Sequence, residues 1–299
     1  MYKNTLLLSL ILLPFLLSAQ STKIILDADT GNEVDDPYAI VRALIEPSLK
    51  VVALNATQWQ ASHWTVEHSM EESYRLNQLI LGYLKMADKV KSYRGGVNRL
   101  YDWGDIAQYS AAAYHIIQQA KQMPDGQKIP IVTLGALTNV ASALLIEPSI
   151  APRIKVYWLG TTYDFDKNIL KRQDFNCVMD VQALDVMLQS DVEMHIIPVS
   201  VANQMTFDYA ETAKRLKGQH PILDFLVQRW DNHLDGGRHE RTIWDLASVQ
   251  ALIHPEWATE VQIKSAPADG QRNLYYYKDI DEDKMREDFF TSCLEYFKK

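Results

Sequence analysis

The stretch KIILDADTGNEVDDPYAI, Lys23 to Ile40, runs from a short apolar segment into a helix-like pattern through a loop that carries Asp27, Asp29, Glu33, Asp35 and Asp36. Carboxylates at this density repel one another, so the loop needs a cation, protonation or full solvation to be tolerable. Ile24, Ile25 and Leu26 have the continuous apolarity of a parallel strand covered on both faces.

Similar runs recur as KVVAL (50–54), IPIVTLG (129–135), RIKVYWLG (153–160) and VEMHIIPVSV (192–201). Between them, apolar residues at helical spacing predict helices over 37–46, roughly 67–86, 110–123, 139–147 and 181–189. The alternation predicts the α/β class: a mostly parallel, Rossmann-like sheet with helices on both faces, built as a single domain. Beyond residue 205 the pattern is largely helical. It then offers strand candidates VQIKSA (261–266) and NLYYY (273–277) and an amphipathic helix over 282–297.

Open sheets of this kind bind ligands at the carboxyl ends of their strands, and the acidic loop sits at such an end. Asp35 or Asp36 is expected to cap the following helix, with Pro37 in its first turn. A cap uses one carboxylate, which leaves the others to be explained. Converging carboxylates with a main-chain carbonyl make a Ca²⁺ or Mg²⁺ site. An EF-hand is excluded, because counting from Asp27 puts Asn32 at the required Gly and Tyr38 at the required Glu. A phosphate-binding glycine loop is excluded as well, since Gly31 stands alone with no Gly-Lys-Ser/Thr after it. A phosphohydrolase of the haloacid dehalogenase type also ends its first strand in an Asp-x-Asp pair, but its further Asp pair comes late in the chain.

The 299 residues begin with Lys3, an apolar run from Leu6 to Leu17 and small residues before Gln20. Residues 1–19 therefore read as a secretory signal peptide, with 20–299 as the mature domain, exported to the periplasm or secreted. The formal net charge is −8. That argues against a nucleic-acid surface, and no membrane association is expected once the leader is removed. Cys177 and Cys293 are too few and too far apart in sequence for a disulfide framework.

The pattern Asp27-x-Asp29-x-Gly31, followed by Asp35-Asp36 and an apolar helix, resembles the N-terminal signature of the inosine-uridine-preferring nucleoside hydrolases. Here it takes a longer form, with Asn32-Glu33-Val34 before the paired aspartates. VTLGALTNVASALLIEPSIAPRIKVYWLG (132–160), QDFNCVMD (173–180) and TIWDLASVQALIHPE (242–256) resemble further family segments in family order.

The resemblance implies a Ca²⁺-dependent enzyme that splits the N-glycosidic bond of ribonucleosides into free base and ribose. In the family the ion binds the ribose 2′- and 3′-hydroxyls and the attacking water. Carried over by position, Asp29 is a ligand and the general base, Asp36 a bidentate ligand, Leu134 a ligand through its carbonyl, and Asp245 the ligand from the far end of the chain. Asp35, Asp174 and Asn176 are implied contacts of the ribose hydroxyls. The substrate partner is a small nucleoside, and a homo-oligomer is compatible with the family's dimers and tetramers. The chemistry itself needs negative charge near an oxocarbenium-like transition state and a deprotonated water.

The chain departs from the pattern at Trp244, where many relatives carry a His that protonates the leaving base. Trp244 is expected either to stack a purine-like base or to pack in the core. The segment ATQWQASHW (56–64), after the second strand, offers Gln60 as a further substrate contact beside Gln58, Trp59, His63 and Trp64. WDNHLDGGRHER (230–241) is either a flap supplying His233 or His239 as the missing acid, or a solvated loop. Glu33 either orients ligands or is simply solvated. Two alternatives stay open at this point: a non-catalytic, metal-dependent pentose-binding protein, and the phosphohydrolase.

Overall fold

The computed structural model describes residues 21–100 and 104–298; the expected leader lies outside the described residues. In chain order the first half comprises β1 (Thr22–Ala28), α1 (Asp35–Ile45), β2 (Leu49–Ala56), α2 (Ser69–Tyr83), β3 (Lys91–Arg94), α3 (Ala111–Gln122), β4 (Ile129–Thr133), α4 (Thr138–Ile146) and β5 (Ile154–Leu159). There follow β6 (Thr162–Asp164), β7 (Ile169–Lys171), α5 (Phe175–Met179), α6 (Val181–Gln189), β8 (Glu193–Ile197), α7 (Val199–Ala202), β9 (Thr206–Asp208), α8 (Tyr209–Leu216) and α9 (Pro221–Asp231). The chain closes with β10 (Glu240–Thr242), α10 (Trp244–Ile253), β11 (Ala258–Lys264), β12 (Asn273–Ile280) and α11 (Glu282–Phe297).

Among the described residues the main sheet has eight strands in the order β11-β12-β8-β5-β4-β1-β2-β3, parallel except for the β11–β12 pair. From β1 the chain steps outward through β2 and β3, then crosses to β4 and continues the other way through β5 and β8. The order therefore reverses between β1 and β4, and the diverging turns open a crevice there.

Alternate side chains of β1 feed the two sides of the sheet. Ile24, Leu26 and Ala28 join one core, with residues of α1, α9, α10 and α11. Ile25 joins the other, with residues of α3, α4 and α6. Being covered on both faces is why these strands read as unbroken apolar runs. VEMHIIPVSV departs from the expectation of one long strand. Pro198 ends β8 and stands at the N-cap of α7, because a proline has no N–H to donate to the ladder.

The expected cap of α1 is also corrected. Val34 occupies the N-cap position without a side-chain hydrogen bond, and Asp35 and Asp36 fall in the first turn, followed by Pro37. Neither carboxylate is used for capping. Both are buried, at 5% and 1% exposure, where the positive end of the helix dipole favours them.

Candidate active site

The turns after β1 and β4, the starts of α1, α5 and α10, and the segment before α5 enclose a cleft of about 350 Å³. Its walls include Asp29, Glu33, Asp35 and Asp36 from the acidic loop, Leu134 after β4, Asp174 to Asn176, and Trp244 and Asp245. One cleft thus gathers the residues expected for the metal and the ribose together with Trp244, whereas Gln60 is not among its lining residues. The side chain of Gln60 instead accepts a hydrogen bond from Ser69 Oγ, 3.1 Å away.

The acidic loop is held from several sides. The Asn32 N–H closes a tight turn onto the Asp29 carbonyl at 2.7 Å. Thr30 Oγ1 donates to Asn77 Oδ1 of α2 at 2.6 Å. Asp27 turns away from the cleft: its carboxylate accepts from Thr57 Oγ1 at 3.0 Å and Asn139 Nδ2 at 2.9 Å, tying β1 to the ends of β2 and α4. Burial pushes Asp27 up to about 6, against these hydrogen bonds.

Asp35, Asp36 and Asp245 each place a carboxylate oxygen within 4.8 Å of the others. The Asp245 N–H donates to Asp35 Oδ2 at 3.1 Å, across 210 residues of sequence. Asp29 Oδ2 and Asp36 Oδ1 are buried without a hydrogen-bond partner among the described residues. Burial, and then the charge of their neighbours, raises Asp29, Asp35, Asp36 and Asp245 well above the usual carboxylate range. Converging, desolvated carboxylates with orphaned oxygens are a poor arrangement for bare protein and a good one for a hard divalent cation, which these residues fit.

Leu134 reaches the cleft as expected, and its carbonyl accepts from Asn176 Nδ2 at 2.6 Å. Asn176 gives its other amide hydrogen to the Leu159 carbonyl at 3.0 Å, leaving Oδ1 free to accept from a hydroxyl. Asp174 caps α5, accepting from the N–H groups of Cys177 and Thr161. Burial lifts it to about 6, while these N–H groups pull the other way.

Trp244 has the core contact that was one of its two expected roles. It lines the cleft, packs against the larger core and donates from Nε1 to Asn203 Oδ1 at 2.7 Å. The sequence reading did not single out Phe175 or fix a role for Trp64. Their rings stack at 5.3 Å with an 18° tilt, and the Trp64 Nε1 donates to Asn32 Oδ1 at 2.9 Å. Phe175 could have been found from its place between Asp174 and Asn176, whereas the stack with Trp64 joins the start of α5 to the distant segment between β2 and α2. Neither His233 nor His239 lines the cleft. His239 is exposed, and His233 lies 3.5 Å from Glu33 Oε1.

The family model for inosine-uridine preferring nucleoside hydrolases matches residues 24–287. The chain belongs to that family. As a nucleoside hydrolase it is 27% identical to a probable uridine nucleosidase 1 of Oryza sativa subsp. japonica, with 79% of this chain and 78% of the relative covered. It is 25% identical to the pyrimidine-specific ribonucleoside hydrolase RihB of Escherichia coli K12, with 84% and 87% covered. The fold is shared with the purine-preferring ribonucleoside hydrolase of Gardnerella vaginalis at a TM-score of 0.70 and 21% identity, over 93% of this chain and 99% of that one. Membership sets the phosphohydrolase alternative aside.

Proposed function

We propose that this nucleoside hydrolase cleaves the N-glycosidic bond of ribonucleosides to free base and ribose in a Ca²⁺-dependent reaction, with Asp29 as general base. The observation that carries the reading is the orphaned, buried Asp29 Oδ2, which faces the same cleft as the Asp35, Asp36 and Asp245 group. Asp29, Asp36, Asp245 and the Leu134 carbonyl would hold the ion, which when bound supplies Lewis acidity toward water and toward the vicinal ribose hydroxyls.

The remaining work falls to the side chains. Asp29 Oδ2 accepts the proton of the attacking water. Asp35, Asp174 and Asn176 Oδ1 accept from ribose hydroxyls and fix the sugar. The cluster of negative charge favours the positive character that builds on the ring as the base departs. The face of Trp244, with the Trp64–Phe175 stack also lining the cleft, offers a platform for the base. The expected leader would make the enzyme an exported one.

The test is a panel of purine and pyrimidine nucleosides, with Ca²⁺ and with chelator, scored for free base and reducing sugar. Asp29→Asn is expected to fold normally and lose about 10²–10⁴ in turnover. Near-wild-type turnover of that variant, or full activity in chelator, rejects the mechanism.

A further inference from the structure

The carboxylate centre is made of two pieces of chain more than 200 residues apart, and like charge drives them apart. Asp35 and Asp36 belong to the acidic loop, whereas Asp245 opens α10 just after β10. Besides the Asp245 N–H and the packing of α1 against α10 in the shared core, these pieces are tied by an ion pair. Arg241 on β10 presents Nη1 to both Glu33 carboxylate oxygens, at 3.3 and 3.5 Å. The Arg241 side chain is 1% exposed and that of Glu33 22%. A second cation reinforces the same loop. Arg229 of α9 donates from Nη2 to the Gly31 carbonyl at 2.7 Å and from Nε to the Glu33 carbonyl at 3.2 Å.

We infer that Glu33 and Arg241 are a positioning pair that holds the acidic loop and the 241–245 segment at the separation a divalent ion needs. Glu33 is not itself among the converging oxygens of Asp35, Asp36 and Asp245. It falls instead into a second acidic group with His233 and Asp235. The Arg241 guanidinium already occupies that group, with Nη2 on Asp235 Oδ1 and Nη1 on Glu33. The second group is therefore the cradle of an arginine rather than another metal site.

The direction of action follows from the geometry. Arg241 is anchored by its own strand, where it pairs with Phe207 of β9, and by the Ile243 N–H on the Met205 carbonyl at 2.9 Å. It stands four residues before Asp245. Glu33 stands two before Asp35 and three before Asp36. Loss of the Glu33 charge leaves Arg241 balanced by Asp235 alone and frees the acidic loop to relax away from Asp245 under mutual repulsion. Residues that orient metal ligands typically carry about 10–100-fold in metal affinity.

The inference rests on the reading of the cleft as a Ca²⁺ site, so the experiment separates the two. CaCl₂ is titrated calorimetrically into the chelator-stripped wild type, Glu33→Gln, Arg241→Gln and the double variant, with thermal melts in chelator alongside. Each single change is expected to weaken Ca²⁺ binding about 10-fold or more, and the double variant to be no weaker than the weaker single, as for two members of one unit. Unchanged Ca²⁺ affinity in Glu33→Gln overturns the inference, even if its melting temperature falls, because a merely structural tie would behave that way. Multiplicative losses in the double variant also overturn it. Glu33→Gln keeps shape and an acceptor for Arg241, so it decides the matter alone if Arg241→Gln fails to fold. A wild type that binds no Ca²⁺ overturns the metal reading and the inference together.

Discussion

Gly135 lies directly against the Asp29 carboxylate: a Cβ at position 135 would meet Asp29 Oδ1 at 2.6 Å and Cγ at 2.8 Å. The turn after β4 can approach the end of β1 this closely because residue 135 has no side chain, and the same turn brings the Leu134 carbonyl to the cleft. The Gly135 carbonyl is fixed in turn by Trp158 Nε1 at 3.0 Å. Gly135→Ala must therefore push Asp29, and displacements of this order cost about 10²-fold in turnover. The expected result is a folded protein with kcat reduced by about that factor. A kcat within twofold of wild type would show that the exact position of Asp29 is unimportant.

Trp244→Ala removes the aromatic face at the mouth of α10. Base stacking on an aromatic is worth about 1–3 kcal/mol, so kcat/KM for purine nucleosides should fall at least fivefold, chiefly through KM if stacking is equal in ground and transition states. A change of less than twofold would leave Trp244 with its packing role only.

Metal and protons compete for the same oxygens. Asp29, Asp35, Asp36 and Asp245 are raised in the folded chain by burial and mutual charge. A carboxyl raised in this way favours folding fully below its unfolded pKa of about 4, and that contribution is lost as pH rises through the native value. Asp27 and Asp174, raised to about 6, add to the loss in the same direction. Without a metal the centre therefore destabilises the protein increasingly from about pH 4 upward, and a bound ion reverses this. The gap in Tm between Ca²⁺ and chelator should be small at pH 5 and several degrees at pH 8. A gap independent of pH would contradict the assignment of these carboxylates as ligands.

Far from the cleft, Arg42 is 2% exposed and pairs with Glu46 at 2.7 Å and Asp288 at 2.8 Å, joining α1 to α11. Removing one member of such a buried network costs about 3–5 kcal/mol. Arg42→Met should lower the urea midpoint accordingly while the folded fraction keeps its specific activity. Loss of specific activity in fully folded protein would mean that the α1 position depends on this pair.

The buried strands and the α/β order were legible because parallel strands covered on both faces read as nearly continuous apolar runs: Ile24 to Leu26, Ile129 to Val132 and Val156 to Leu159 each mark a strand. The short polar edge strand KSYR and the small pairs β6–β7 and β9–β10 carry no such signal, because each is only three or four residues long and mixes single buried side chains such as Phe207 and Tyr163 with polar ones. In the cleft, Asp29, Asp35, Asp36, Asp174, Asn176 and Asp245 were legible from residue chemistry and motif order.

What the sequence determined by itself was where negative charge concentrates and which strand end it follows, since both depend on residues adjacent in the chain. What only the tertiary structure decided was how that charge is divided. Val34 rather than an aspartate takes the N-cap position of α1, Asp27 turns inward to Asn139 and Thr57, and Glu33 is given to Arg241, 208 residues away. A carboxylate's partner is chosen by distance in space, and for these residues distance along the chain carries no trace of it.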